Sequence, residues 1–199
     1  MTRRAKLIFI AGLAILGGGV FAAYSHFTFP KDTTPQGAYA RIVLAITKGN
    51  PRDCFAYLET QAQWASYTIR DFRTKAAAIV GRDYPEPEKS ALLASYRGQA
   101  DVPDGADVWV SLAQSRGWIA RLRKDLSGAK GVELAGERAT VETARGTRYA
   151  FRRRENGIWG LTTFTAELVA EAEKAARDYE MVTKSARDYE RARAGSPSP

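Results

Sequence analysis

The chain has 199 residues, with 30 lysines and arginines against 22 acidic residues, one histidine and one cysteine, for a formal charge of +8. With Cys54 alone no intrachain disulfide exists, and with His26 as the only histidine a zinc or iron site of soft ligands is excluded. Residues 1–30 carry +3, residues 31–130 carry 15 basic against 11 acidic and residues 131–199 carry 12 against 11, so the larger part is mildly basic and argues against nucleic acid as a partner.

Arg3, Arg4 and Lys6 lead into Leu7 to Phe29, an apolar run with no charged side chain. As a helix, Leu7 to Tyr24 would span about 27 Å, close to the hydrocarbon thickness of a bilayer. The basic flank predicts a single-pass anchor in a bacterial inner membrane, with the C-terminal domain in the periplasm. The alternative is a signal peptide cleaved after Ala22, with a secreted product. Retention is favoured because the run continues past Ala22 and because Tyr24, Phe27 and Phe29 suit a membrane surface, whereas Gly17, Gly18 and Gly19 weaken a helix in mid-span. Either route places about 170 residues outside the cytoplasm, enough for one domain with a real core.

Thr34 followed by Pro35 predicts a capped helix that closes at Gly49, with Ala38, Tyr39, Ile42, Val43 and Ile46 on one face. Asn50, Pro51 and Asp53 predict a second helix burying Cys54, Phe55 and Leu58. A third is expected over 61–80, with Trp64 or Ala65, Ile69, Phe72, Ala76 and Ile79 inward and a stop at Gly81. Tyr84-Pro85-Glu86-Pro87 reads as an extended link, Glu88 to Arg97 as a short helix ended by Gly98, and Asp107 to Leu126 as a helix interrupted at Gly117. Arg121, Arg123 and Lys124 suit a helix C-terminus.

From Gly131 the period becomes two, which predicts a meander of strands. A loop Arg145-Gly146-Thr147 would set Thr143 opposite Tyr149 and Val141 opposite Phe151, with Glu142 among the arginines of the outer face. Asn156-Gly157 predicts a hairpin into Ile158 to Phe164. A two-residue turn puts Ile158, Thr162 and Phe164 on the Tyr149 face, and one extra loop residue puts Trp159 and Leu161 there. Both sets are apolar, so this strand is expected to be covered on both sides.

The last helix is expected over 166–194, capped by Thr165 and followed by a disordered tail over 195–199. Leu168, Ala172, Ala175, Tyr179, Val182, Ala186 and Tyr189 alternate in steps of four and three, a heptad seam for a coiled-coil partner, for packing on its own sheet or for exposure. Glu173 with Arg177 adds a favourable pair. The organisation is thus an anchor over 1–30, an α+β domain over 31–165, the last helix and the tail.

The entry Thr34-Pro35-Gln36-Gly37-Ala38-Tyr39, with Ile42, Ala45, Gly49-Asn50, Asp53 and Phe55-Ala56-Tyr57-Leu58, resembles that of the nuclear-transport-factor-like and ketosteroid-isomerase-like superfamily, and Asn156-Gly157-Ile158-Trp159 resembles its closing hairpin. The resemblance covers 34–58 and roughly 131–165. It implies an α+β cone, helices in the curl of an antiparallel sheet, often with a pocket, and membership among bacterial envelope proteins. An isomerase-like member needs an inward carboxylate base and an opposing donor for the oxyanion. Here Glu133 and Glu142 fall outward and the inward polar residues are Thr143, Tyr149 and Arg153, so no base is visible and no catalytic residue is assigned. Tyr149, Phe151 and Arg153 are the candidate ligand contacts. His26 and Cys54 have no partners for nucleophilic catalysis, and no glycine loop for a phosphate-bearing cofactor is present. No metal and no cofactor is expected. The leading expectation is a membrane-tethered, non-catalytic envelope domain that contacts another envelope protein through its helical surface and last helix. The alternative is a cone binding or isomerising a small molecule. Arg121 to Lys124 and Arg152 to Arg154 offer a third, an acidic envelope polymer.

Overall fold

The computed structural model describes residues 30–195, so the expectations for the Leu7 to Phe29 anchor and for residues 196–199 lie outside the described residues. No helix among the described residues is long and apolar enough to cross a membrane. From Asp32 onward the fold is α+β, with seven helices, one of them a 3-10 helix, and a four-stranded antiparallel sheet.

Helix α1 (Pro35–Thr47) starts as expected: Thr34 Oγ1 accepts a hydrogen bond from the Gly37 N–H at 3.1 Å and Pro35 fills the first position. Ala38, Tyr39, Ile42, Ala45 and Ile46 form its buried face. The following segment is a 3-10 helix (Pro51–Tyr57) that buries Cys54, and Leu58 leaves it extended to bridge Leu161. Arg52 ties it to the next layer, pairing with Asp104 at 2.5 Å and Asp107 at 3.1 Å.

Helix α2 (Thr60–Asp83) runs past Gly81, which does not adopt the positive φ of a helix-ending glycine. Its buried face is Ala62, Ala65, Ile69, Arg73, Ala76 and Val80, so Ala65 turns inward and Trp64 stays 70% exposed. Phe72, expected inward, is only half-buried against Tyr179, with ring centroids 5.6 Å apart, and Arg73 takes the buried place instead. The link is extended at Tyr84 but turns at Glu86-Pro87, where Pro87 already has helical backbone angles. Helix α3 (Glu88–Ala100) then continues through Gly98, where a Cβ would meet Ser111 Oγ at 3.0 Å; the glycine admits a neighbouring helix rather than ending its own. Helices α4 (Gly105–Ser115) and α5 (Trp118–Asp125) are separated at Gly117, as the sequence predicts.

The strands β1 (Ala129–Ala135), β2 (Arg138–Thr143), β3 (Arg148–Arg153) and β4 (Trp159–Leu161) pair in chain order. Val141 lies opposite Tyr149 and Ala139 opposite Phe151, a shift of two residues from the expected register. The loop is still three residues long, but it is Ala144-Arg145-Gly146, because Gly146 supplies the positive φ (80°) that closes such a loop, and Thr147 is drawn into pairing with Thr143. An even shift preserves the faces, so Ala139, Val141, Thr143, Tyr149 and Phe151 are buried together. Glu155-Asn156-Gly157 repeats the geometry, with Gly157 at φ 80°, and thereby turns Trp159 and Leu161 inward.

The second side of β4 is covered by the chain itself. The Glu59 N–H donates to the Leu161 carbonyl at 3.1 Å, and a Cβ on Gly160 would stand 2.7 Å from Glu59 Cα.

Helix α6 (Thr165–Gly195) buries Leu168, Ala172, Ala175, Val182 and Ala186, with Tyr179 and Tyr189 half-buried. Its seam packs along α2 of the same chain, whose own small side chains allow close approach. The Thr165 hydroxyl, expected as a cap, donates instead to Glu59 Oε2 at 2.8 Å. Two apolar clusters result. One lies between sheet and helices and is filled by Trp109, Trp118 and Phe164, with ring centroids 4.9–5.7 Å apart. The smaller one joins Ala76, Val80, Tyr84, Tyr96, Val182 and Ala186 at the far ends of α2 and α6.

Candidate functional site

The three residues singled out on the sheet do not converge. Tyr149 and Phe151 are buried, Tyr149 against the Tyr39 ring at 5.7 Å, while Arg153 at the strand end is half-exposed and 3.6 Å from Glu137. The run Arg152 to Arg154 is likewise divided. Arg154 donates to the Ala56 carbonyl and to Gln63 Oε1, at 2.7 and 2.9 Å, fastening the β3–β4 loop to the helices, while Arg152 reaches Glu59 at 2.7 Å. On the outer face Glu133 pairs with Arg148 and Glu142 with Lys130, at 2.6 and 3.3 Å.

Burial pushes the Cys54 thiol up to about 12, with Asp53 adding to it, and pushes the Tyr149 phenol up to about 12, with Asp125 adding. Tyr39 and Tyr96 move the same way, again chiefly through burial. Each group binds its proton more tightly folded than unfolded. Their stabilising effect is therefore complete below the ordinary thiol value of 9.0 and is lost as the pH climbs through the folded values. The melting temperature is expected to fall between about pH 9 and 11, and to fall less steeply in Cys54→Ala; equal slopes in the two proteins would contradict this.

The more developed feature lies between α3 and α6, a cleft of about 450 Å³. Leu92, Tyr96, Met181 and Tyr189 form apolar walls, with Met181 60% exposed, and Lys174 and Glu88 are among the polar side chains that line it. Arg73 lies at its base, 4% exposed. Its guanidinium donates to Asp178 at 2.6 Å and Gln99 at 3.2 Å, stands 3.6 Å from Glu171 and lies over the Tyr96 ring at 4.8 Å. Glu171, itself buried, also accepts from Arg116. Two guanidiniums thus neutralise two carboxylates, and neither carboxylate is left without a permanent cation to serve as a base.

Arg73 was legible in principle, since Ile69, Arg73, Ala76 and Val80 step by four, three and four. Glu171 and Asp178 are seven apart and so share one side of α6. Nothing in the sequence marks Glu59, whose burial depends on the strand that crosses beside it. Among the described residues no three His, Cys, Asp or Glu side chains gather as a metal site. Compared with protein-family models, curated proteins and solved structures, the chain matches none of them.

Proposed function

We propose that this protein is a membrane-tethered, non-catalytic envelope module that holds a helical segment of another envelope protein in the cleft between α3 and α6. The reading takes Leu7 to Phe29 as the inner-membrane anchor, the domain from Asp32 as periplasmic and the fold as the nuclear-transport-factor-like cone. The observation that carries it is the cleft itself, two helices flanking a trough of mixed character, with Leu92, Tyr96, Tyr189 and an exposed Met181 on its walls above an ionic base, which suits a helix with one apolar stripe and polar flanks. Self-neutralised charges at its base and aromatic rings filling the space between sheet and helices speak for binding rather than turnover.

A photo-crosslinking residue placed at Met181, and separately at Ser95 on the opposite wall, tests this with the full chain in intact membranes. Both positions are expected to capture the same protein, and a probe at Glu155 on the β3–β4 loop is expected not to. Monomer alone at both walls, or equal capture at all three positions, would sink the reading.

A further inference from the structure

The outer face of the sheet carries an arrangement that packing does not explain. Arg138 on β2 and Arg152 on β3 are direct cross-strand partners, and like charges in that relation are destabilising. Arg152 is 2.7 Å from Glu59 Oε1, but the approach is off-line: Oε1 has no hydrogen-bond partner among the described residues, so the contact is an ion pair without a directed bond. Glu59 is only 4% exposed, and its other oxygen is held by Thr165. Among the described residues Arg138 has no ion-pair partner. With the neighbouring Glu133–Arg148 pair included, three guanidiniums face two carboxylates.

Of these, Glu59, Glu133, Arg138 and Arg152 line a hollow of about 540 Å³, together with Thr140, Ala150 and Thr162, while Arg148 holds Glu133 from outside it. A second hollow of about 500 Å³ shares Glu59, Arg152 and Thr162 and continues over the start of α6. The volumes fall in the range of small-ligand sites, roughly 300–1,000 Å³.

We propose that Arg138 and Arg152 form a clamp for a phosphate group, with Glu59 aiming the Arg152 guanidinium and the Thr140 hydroxyl beside it; the Thr162 hydroxyl donates to the Ala150 carbonyl at 3.1 Å and only walls the site. A guanidinium presents a planar fork of donors, and one fork occupies both oxygens of a carboxylate. Two forks side by side need an anion with more oxygens, which a phosphate has. Bound between them, it converts a repulsive pair into a bridged one, and the guanidinium of Arg138, without an ion-pair partner among the described residues, supplies the attraction. The site is distinct from the α3/α6 cleft and does not depend on it.

The test uses the full chain in detergent micelles at constant ionic strength, with inorganic phosphate and glycerophosphoglycerol, the deacylated head of phosphatidylglycerol, as probes. Binding is expected for at least one of them. Tighter binding of the diester assigns a lipid headgroup, and tighter binding of inorganic phosphate assigns a free phosphate. Arg138→Gln, which removes an unpaired surface charge, is expected to weaken binding about tenfold or more. Arg138→Glu is expected to abolish binding while raising the melting temperature, because it turns the like-charged pair into an opposite one. Arg177→Gln, on the exposed side of α6, is expected to bind as the parent does. Arg152→Gln leaves buried Glu59 without its cation, so the Arg138 variants carry the decision. Binding no stronger than that of chloride for both probes, or undiminished binding in Arg138→Gln, would overturn the clamp.

Discussion

Replacing Gly160 by alanine is expected to lower the unfolding free energy by about 2–3 kcal/mol, the upper range for overpacking a close contact. The added methyl carbon would stand 2.7 Å from Glu59 Cα, 2.8 Å from its nitrogen and 2.8 Å from the Leu58 carbonyl oxygen. All three are backbone atoms, which cannot rotate away as the end of a side chain can. To make room, Leu58–Glu59 must lift off β4, which strains the Glu59 N–H to Leu161 carbonyl bond and the bridge beside it. For a chain of this size the loss corresponds to a melting temperature lower by about 4–12 °C. Gly131→Ala is the control: its Cβ meets no heavy atom within 4 Å, so a change within about 0.5 kcal/mol is expected. Equal melting of the two variants would mean that the chain does not cross β4 where described.

Arg73→Met is expected to have the larger effect, a loss of about 3–5 kcal/mol, because it strands buried charge rather than removing a contact. Arg73 is the cation facing Asp178 and one of two facing Glu171, in a region where the guanidinium is 5% and the Glu171 side chain 9% exposed. Methionine fills much of the same volume but leaves the Asp178 carboxylate without its partner. Neutralising the acids as well, in Arg73→Met combined with Glu171→Gln and Asp178→Asn, is expected to recover at least half of the loss, as replacement of whole buried ionic groups often does. Denaturant melts of the single and triple variants decide it. A triple variant no more stable than the single one would show that Arg73 acts through packing, not charge.

Local signals in the sequence located the elements well. The Thr34-Pro35 cap, the break at Gly117 and the change of period near Gly131 are chemical features of one short stretch, and each marks a real boundary. The seam of α6 was equally plain, but which surface covers it is a tertiary fact, and α2 supplies it. Gly98 misled because a glycine that ends a helix and one that admits a neighbour look alike in sequence, and Gly81 because a helix can run through a glycine that keeps ordinary helical geometry. The first hairpin slipped by two residues because alternation fixes the face and not the register, a choice left to the positive φ of Gly146. The buried ionic groups were the least legible. Hydrophobicity assigns position 72 to the interior and Arg73 to water; the spacing of Ile69, Ala76 and Val80 leaves Arg73 a place on the buried face, but the acids that hold it there are distant in sequence, Asp178 lying 105 positions away.

The charged layer around Arg73 also divides the helices into two territories. Beyond it, α3 and the last turns of α6 rest on the smaller apolar cluster, which consists of alanines, a few aliphatics and tyrosine rings. Among the described residues, seven buried apolar ones hold this end against twenty-five in the larger cluster, so its amides are expected to exchange with solvent before those of the tryptophan-filled portion beside the sheet. The walls of the cleft between α3 and α6 stand on that thinner support, while its floor is fixed by the Arg73 network, so a guest that spreads the walls would load the smaller cluster first.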